Sequence, residues 1–97
     1  MRVITRQKLS RFWEKYTDAE DALKAWLKEA EHAHWKTPAD IKTRYRTADF
    51  LNNNRVVFNI KGNHYRLIAQ IHYNTQIVYI RFIGTHKDYD KIDAETI

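Results

Sequence analysis

The apolar period of this chain changes once, at Arg55, and that change limits what it can fold into. Before Arg55 the apolar residues recur at helical spacing; after it they alternate. Helices followed by a run of strands define an α+β architecture, with the helices laid on one face of a small antiparallel sheet. Met1–Ile4 reads as a short edge strand. Thr5 reads as an N-cap, and Leu9, Phe12, Trp13 and Tyr16 follow at i, i+3, i+4, i+7. Thr17 and Glu20 form a T-x-x-E capping box that opens a second helix. Ala19, Ala22, Leu23, Trp26, Leu27 and Ala30 lie on its apolar face, with a Glu20–Lys24 pair on the wet side. Thr37-Pro38 with Asp40 starts a short third helix that runs to about Tyr45. Thr47–Asn54 reads as a loop.

Three strands are expected beyond it: Arg55–Lys61, His64–Tyr73 and Gln76–Ile83. Gly62-Asn63 and Asn74-Thr75 are two-residue hairpin connections, and Thr85–Ile97 is a tail opening with a short helix capped by Thr85. The turns fix the registers. Ile60 falls opposite Tyr65, Phe58 opposite Leu67 and Val56 opposite Ala69; Tyr73 falls opposite Gln76, Ile71 opposite Val78, Ala69 opposite Ile80 and Leu67 opposite Phe82. All these residues except Tyr73 and Gln76 make one nearly continuous apolar face, the bed for the helices. The other face carries Val57, Asn59, Lys61, His64, Arg66, Ile68, His72, Tyr79 and Arg81. On that register Arg81 is the diagonal neighbour of Arg66, roughly 7–8 Å away. Two arginines, Lys61 and His64 therefore gather with no Asp or Glu among them. A solvated sheet face mixes charge signs; an acid-free one asks for an anion. Tyr79 and Asn59 among the cations give the mixture that holds a nucleic-acid backbone and stacks bases.

Composition excludes several classes. The 97 residues suit one domain, 1–97, and a 13% aromatic content argues against disorder. Without Cys there is no disulfide scaffold, thiol chemistry or Cys-based zinc site. His32 and His34 stand i,i+2 on a helix and diverge, and no H-x-x-x-H occurs, so neither a metal nor another cofactor is expected. No apolar run approaches the ~20 residues of a membrane span, so no membrane partner is expected. The first residues lack a secretory h-region, which gives a cytoplasmic expectation. The net charge of +5 favours a polyanionic partner.

Four short motifs in order resemble a known family: Val57-Phe58-Asn59-Ile60; Gly62-Asn63 with Tyr65-Arg66; Tyr79-Ile80-Arg81; and Thr85-His86-Lys87 with Tyr89-Asp90. Together they resemble the HigB toxins of bacterial type II toxin–antitoxin modules, within the broader RelE/ParE-like group. The resemblance implies a RelE-like fold and an mRNA interferase that cuts message, usually in the ribosomal A site. It also implies a HigA-type helix-turn-helix antitoxin as partner, with operator DNA reached only through the antitoxin complex.

Metal-free RNA cleavage by the 2′-OH needs a base, an acid and positive charge around the pentavalent phosphate. Arg66 and Arg81 suit the last task, because a guanidinium stays charged and matches phosphate oxygens in pairs. By the resemblance they match positions implicated in that role. His86 is the first candidate for proton transfer, its ordinary titration range lying near neutrality, and Tyr89 is the second. Which of the two is acid and which base stays open. Lys61, His64, Lys87, Asn59 and Tyr79 are candidate RNA contacts. Known RelE-type sites use more lysine and less imidazole than this chain offers. Two other readings stand beside the nuclease: a non-catalytic nucleic-acid-binding module on the same face, and a gyrase-poison sibling on the same scaffold.

Overall fold

The computed structural model describes residues 1–97. In chain order run β1 (Arg2–Ile4), α1 (Gln7–Lys15), a 3-10 turn (Thr17–Ala19), α2 (Glu20–His32), α3 (Pro38–Arg44), β2 (Asp49–Phe50), β3 (Arg55–Ile60), β4 (Tyr65–His72), β5 (Ile77–Thr85) and α4 (His86–Tyr89). The strands form one five-stranded sheet in the order β1-β5-β4-β3-β2. The α+β class and the helices-then-sheet order agree with the change of period. β1 is an edge strand, as expected, but it runs parallel to β5, with Arg2 opposite Ile77 and Ile4 opposite Tyr79. The sheet is therefore mixed rather than wholly antiparallel. β2 lies inside the expected loop: Asp49 pairs with Val57 and Phe50 with Val56, too short a strand to show a period.

Two helix starts differ from their sequence signals. Thr5 does not cap α1; it sits at φ +64° and its hydroxyl donates to the Ile80 carbonyl at 3.1 Å, fastening the helix entry to β5. Thr17–Ala19 winds as a 3-10 turn instead of forming a capping box, and no side chain caps α2. α3 begins as expected, with Asp40 Oδ2 accepting from the backbone N–H groups of Lys36 and Thr37 at 2.9 and 3.2 Å.

The hairpin register between β3 and β4 is the expected one: Ile60–Tyr65, Phe58–Leu67 and Val56–Ala69. Between β4 and β5 it holds only from His72–Ile77 to Ala69–Ile80, because Ile68 then pairs with Phe82, leaving Arg81 as an extra, unpaired residue. This is a β-bulge, which flips every later side chain of β5 to the other face. Leu67 consequently meets Ile83, not Phe82, and Ile83 is the residue that packs on the helix-facing core.

That core closes around Phe58, 1% exposed, with Trp26 and Tyr45 edge-on at 5.3 and 5.1 Å and Trp35 stacked at 6.4 Å. The opposite face is not the open, wet surface that the alternation suggested. Val57 and Ile68 lie on it fully buried, and the segment after β5 folds back over that side, with Arg55 Nη2 donating to the main-chain oxygen of Ile97 at 2.7 Å.

Lys61 is displaced from that face. Its Nζ lies 3.0 Å from Asp18 Oδ2, and Asp18 Oδ1 accepts from the Tyr65 hydroxyl at 2.5 Å, so the 3-10 turn is pinned to the β3–β4 turn. The Tyr65 hydroxyl and Lys61 hold the Asp18 carboxyl below its ordinary value of 3.8. Asp18 in turn pushes the Tyr65 phenol from 10.0 up to about 12. The carboxylate stabilises the fold above its unfolded value and ceases to as pH falls through the lowered native one. The phenol stabilises below its unfolded value and ceases to as pH rises through the raised one. Urea melts of wild type and Tyr65→Phe across pH should therefore differ by a constant amount between about pH 5 and 9, the gap narrowing at both ends. A gap insensitive to pH would show that the Asp18 contact does not stabilise the fold.

Candidate active site

α4 exists because β5 ends on Thr85, whose hydroxyl accepts from Asp88 N–H at 3.1 Å, the cap anticipated from sequence. Within this single turn His86 and Tyr89 stand i,i+3 and so share a side. That side faces Arg66 on β4. Arg66 Nε donates to His86 Nε2 at 3.3 Å, and its guanidinium carbon lies 5.0 Å from the centre of the Tyr89 ring. A guanidinium has no acceptor, so Nε2 offers its lone pair and the ring proton belongs on Nδ1. Cation–π contacts of this kind contribute about 0.5–2 kcal/mol, enough to orient the side chains.

The packing beneath this trio depends on Gly84, which sits opposite Arg66. A Cβ at Gly84 would fall 2.5 Å from the Phe82 ring and 3.3 Å from Asp88 Cβ. Phe82 in turn lies 6.4 Å from the Tyr89 ring. The missing side chain lets the Phe82 ring lie across Gly84.

Arg81 reaches the same side of the sheet from its bulge. Its Nε donates to the main-chain oxygen of Ile97 at 3.1 Å, the oxygen that Arg55 also holds. Two guanidinium groups on one oxygen show what this pair offers an oxyanion. None of the three arginines has a carboxylate side chain within ion-pair distance; the four ion pairs are Arg6–Glu31, Lys24–Glu20, Arg44–Glu29 and Lys61–Asp18. Arg81 also lines a cleft of about 430 Å³ between α1 and the end of β5, together with Lys8, Arg11 and Lys15 of α1, Phe82 and Asp88.

Of the residues singled out in sequence, Arg66 contacts both His86 and Tyr89, and Arg81 lies on the same face of the sheet, bound to Ile97. The remaining candidates disperse. Lys61 is tied to Asp18, and Tyr79 packs edge-on against His72 at 5.1 Å, toward the far end of the sheet. Asn59 remains opposite Arg66 but donates to the Thr47 carbonyl at 3.3 Å, its buried Oδ1 without a partner. His64 and Lys87 are exposed at the β3–β4 turn and on α4. Sequence reasoning passed over Arg55, Lys8, Arg11 and Lys15. Arg55 carried no motif, whereas the i, i+3, i+7 basic row on α1 was visible but had nothing in sequence to say what it faces.

Helices on a mixed sheet, with a cationic, aromatic site where the last strand turns into a one-turn helix, define a RelE-like toxin fold. Residues 19–92 match the family model HigB_toxin, described as the RelE-like toxic component of a toxin–antitoxin system, and the chain belongs to that family. It is 32% identical over 96 residues to the mRNA interferase toxin HigB of Escherichia coli K12 and to the mRNA interferase HigB of Shigella flexneri, covering 97% of this chain and 92% of each relative. The mRNA interferase HigB of Escherichia coli O6:H1 is 24% identical over 94 residues, 95% of this chain and 91% of that protein.

Gly84→Ala should displace the Phe82 ring and loosen α4, costing about 1–3 kcal/mol as overpacking does. Thermal melts read this directly, and an unchanged midpoint would show that the ring has room to move.

Proposed function

We propose that this chain is an mRNA interferase: an endoribonuclease that cuts message at a phosphodiester by attack of the neighbouring 2′-OH. The observation that carries the reading is the contact of Arg66 with both His86 and Tyr89, a cation set between two groups able to move protons. As Arg66 turns from His86 to the phosphate, the freed Nε2 lone pair takes the 2′ proton and the 2′ oxygen bonds to phosphorus. The P–O5′ bond breaks as Tyr89 protonates the departing oxygen, leaving a 2′,3′-cyclic phosphate and a 5′-hydroxyl. Arg66 and Arg81 stabilise the charge that builds on the pentavalent phosphate. Neither step draws on a metal. The names of the relatives support mRNA as the substrate.

The finer parts of the proposal follow from the family. Residues 1–97 act as one toxin unit in the cytoplasm, on message in the ribosomal A site. A HigA-type helix-turn-helix antitoxin neutralises it, and operator DNA is met only through that complex. Lys87 and His64, both exposed, contact flanking RNA; Asn59 and Tyr79 contribute less, being engaged within the sheet.

Induced expression with mapping of message 5′ ends tests the reading. Arg66→Ala or Arg81→Ala should lower cleavage by about 10²–10³-fold, the usual cost of one preorganised donor. His86→Ala with Tyr89→Phe should abolish cleavage while RNA affinity persists. A double variant that changes affinity alone would indicate a binding module, and intact message with DNA-damage signs would indicate a gyrase poison.

A further inference from the structure

The cleft beside α1 carries a charge pattern that the reaction above does not use. Lys8, Arg11 and Lys15 are exposed and stand at i, i+3, i+7, so they line one edge of α1. None of them has an ion-pair partner, whereas the neighbouring cations Arg6, Lys24 and Arg44 each meet a glutamate, at 3.0, 2.6 and 2.5 Å. Across the cleft stands Arg81, and the only carboxylate among the lining residues is Asp88. The cleft thus holds a surplus of three positive charges of the chain's net +5. Like charges held in a row cost stability unless an anion is to be bound. The floor is aromatic, with Phe12 and Tyr16 stacked at 4.5 Å and Phe82 at the end nearest α4.

We infer that this cleft is the track for the single-stranded RNA backbone on one side of the cut, with Lys8, Arg11 and Lys15 each holding a phosphate. The inference rests on the nuclease reading and deepens it. Two continuities favour RNA over an acidic protein segment. Arg81 lines the cleft and faces the reacting phosphate, so a strand cut there runs on into the basic row. Phe82 likewise lines the cleft and touches Tyr89, joining the two sites by one ring. A cationic groove with aromatic walls is the pattern that holds single strands without reading sequence. The family model begins at residue 19, so α1 lies outside the part of the chain it describes.

The test is RNA affinity against salt, measured by fluorescence anisotropy with the full chain and a 2′-O-methyl RNA that cannot be cut. Each phosphate contact to a single strand contributes about 0.7 to the slope of log K against log salt. Lys8→Gln/Arg11→Gln/Lys15→Gln should therefore lower the slope by about 2. Lys28→Gln/Lys36→Gln/Arg46→Gln, which removes the same charge from exposed positions outside the cleft, should leave it near wild type. All six side chains are exposed, so folding is not at stake. Equal slopes for the two triple variants would overturn the inference while leaving the nuclease reading intact. So would an α1 variant that keeps the wild-type slope but escapes its antitoxin, since the cleft would then belong to that partner. A wild type that neither binds this RNA nor cuts message on translating ribosomes would overturn both readings.

Discussion

One extra residue in β5 organises the functional end of the molecule. Up to Ile80 the strand alternates regularly, with Val78 and Ile80 in the helix-facing core. Arg81 interrupts the ladder, and beyond it the faces exchange. Ile83 fills the core position, Phe82 turns to the other side and Gly84 comes opposite Arg66. The strand then delivers Thr85 as a helix cap, with α4 directly over Arg66. In an unbulged strand Phe82 would lie in the core and Ile83 on the opposite face. Arg81 keeps the face that the alternation already gave it, where Arg55 and Arg66 stand, but it leaves the ladder.

Much of this layout was legible in the sequence because it depends on local rules. The alternation from Val56 to Ile80, the turn residues and the Thr85 cap fix register and helix start within a few residues of one another. The i,i+3 spacing of His86 and Tyr89 and the place of Arg66 on the acid-free face were legible too, but their convergence needs the bulge, which sets Gly84 opposite Arg66. The bulge was hidden because Phe82 and Ile83 are both apolar, so either satisfies the alternation. Lys61 read as a free cation because its partner, Asp18, lies 43 residues earlier and the turn between carries Lys61 at φ +52°. β1 gave its presence but not its direction, which the sequence of three residues does not encode.

The pairing of charges divides the surface into two regimes. Away from the cleft, Arg6, Lys24, Arg44 and Lys61 each have a carboxylate within 3.0 Å. Exposed pairs of this kind contribute little to stability, about 0–1 kcal/mol, but they cancel the local field. Along α1 and around α4 the cations are left uncancelled, and a basic region with low-dielectric walls draws an anionic strand toward it. Half-buried Arg66, held by an imidazole and a phenol ring rather than by an acid, keeps its full charge for the substrate.

The most direct measurement is a crystal structure of the full chain with a short RNA bearing a 2′-O-methyl group at the cleavage site. One phosphate should lie within hydrogen-bond distance of both the Arg66 and Arg81 guanidinium groups, with His86 Nε2 beside the 2′ oxygen and Ile97 displaced from Arg81. RNA seated elsewhere, with Arg66 still stacked on Tyr89 and Arg81 still bound to Ile97, would contradict the account.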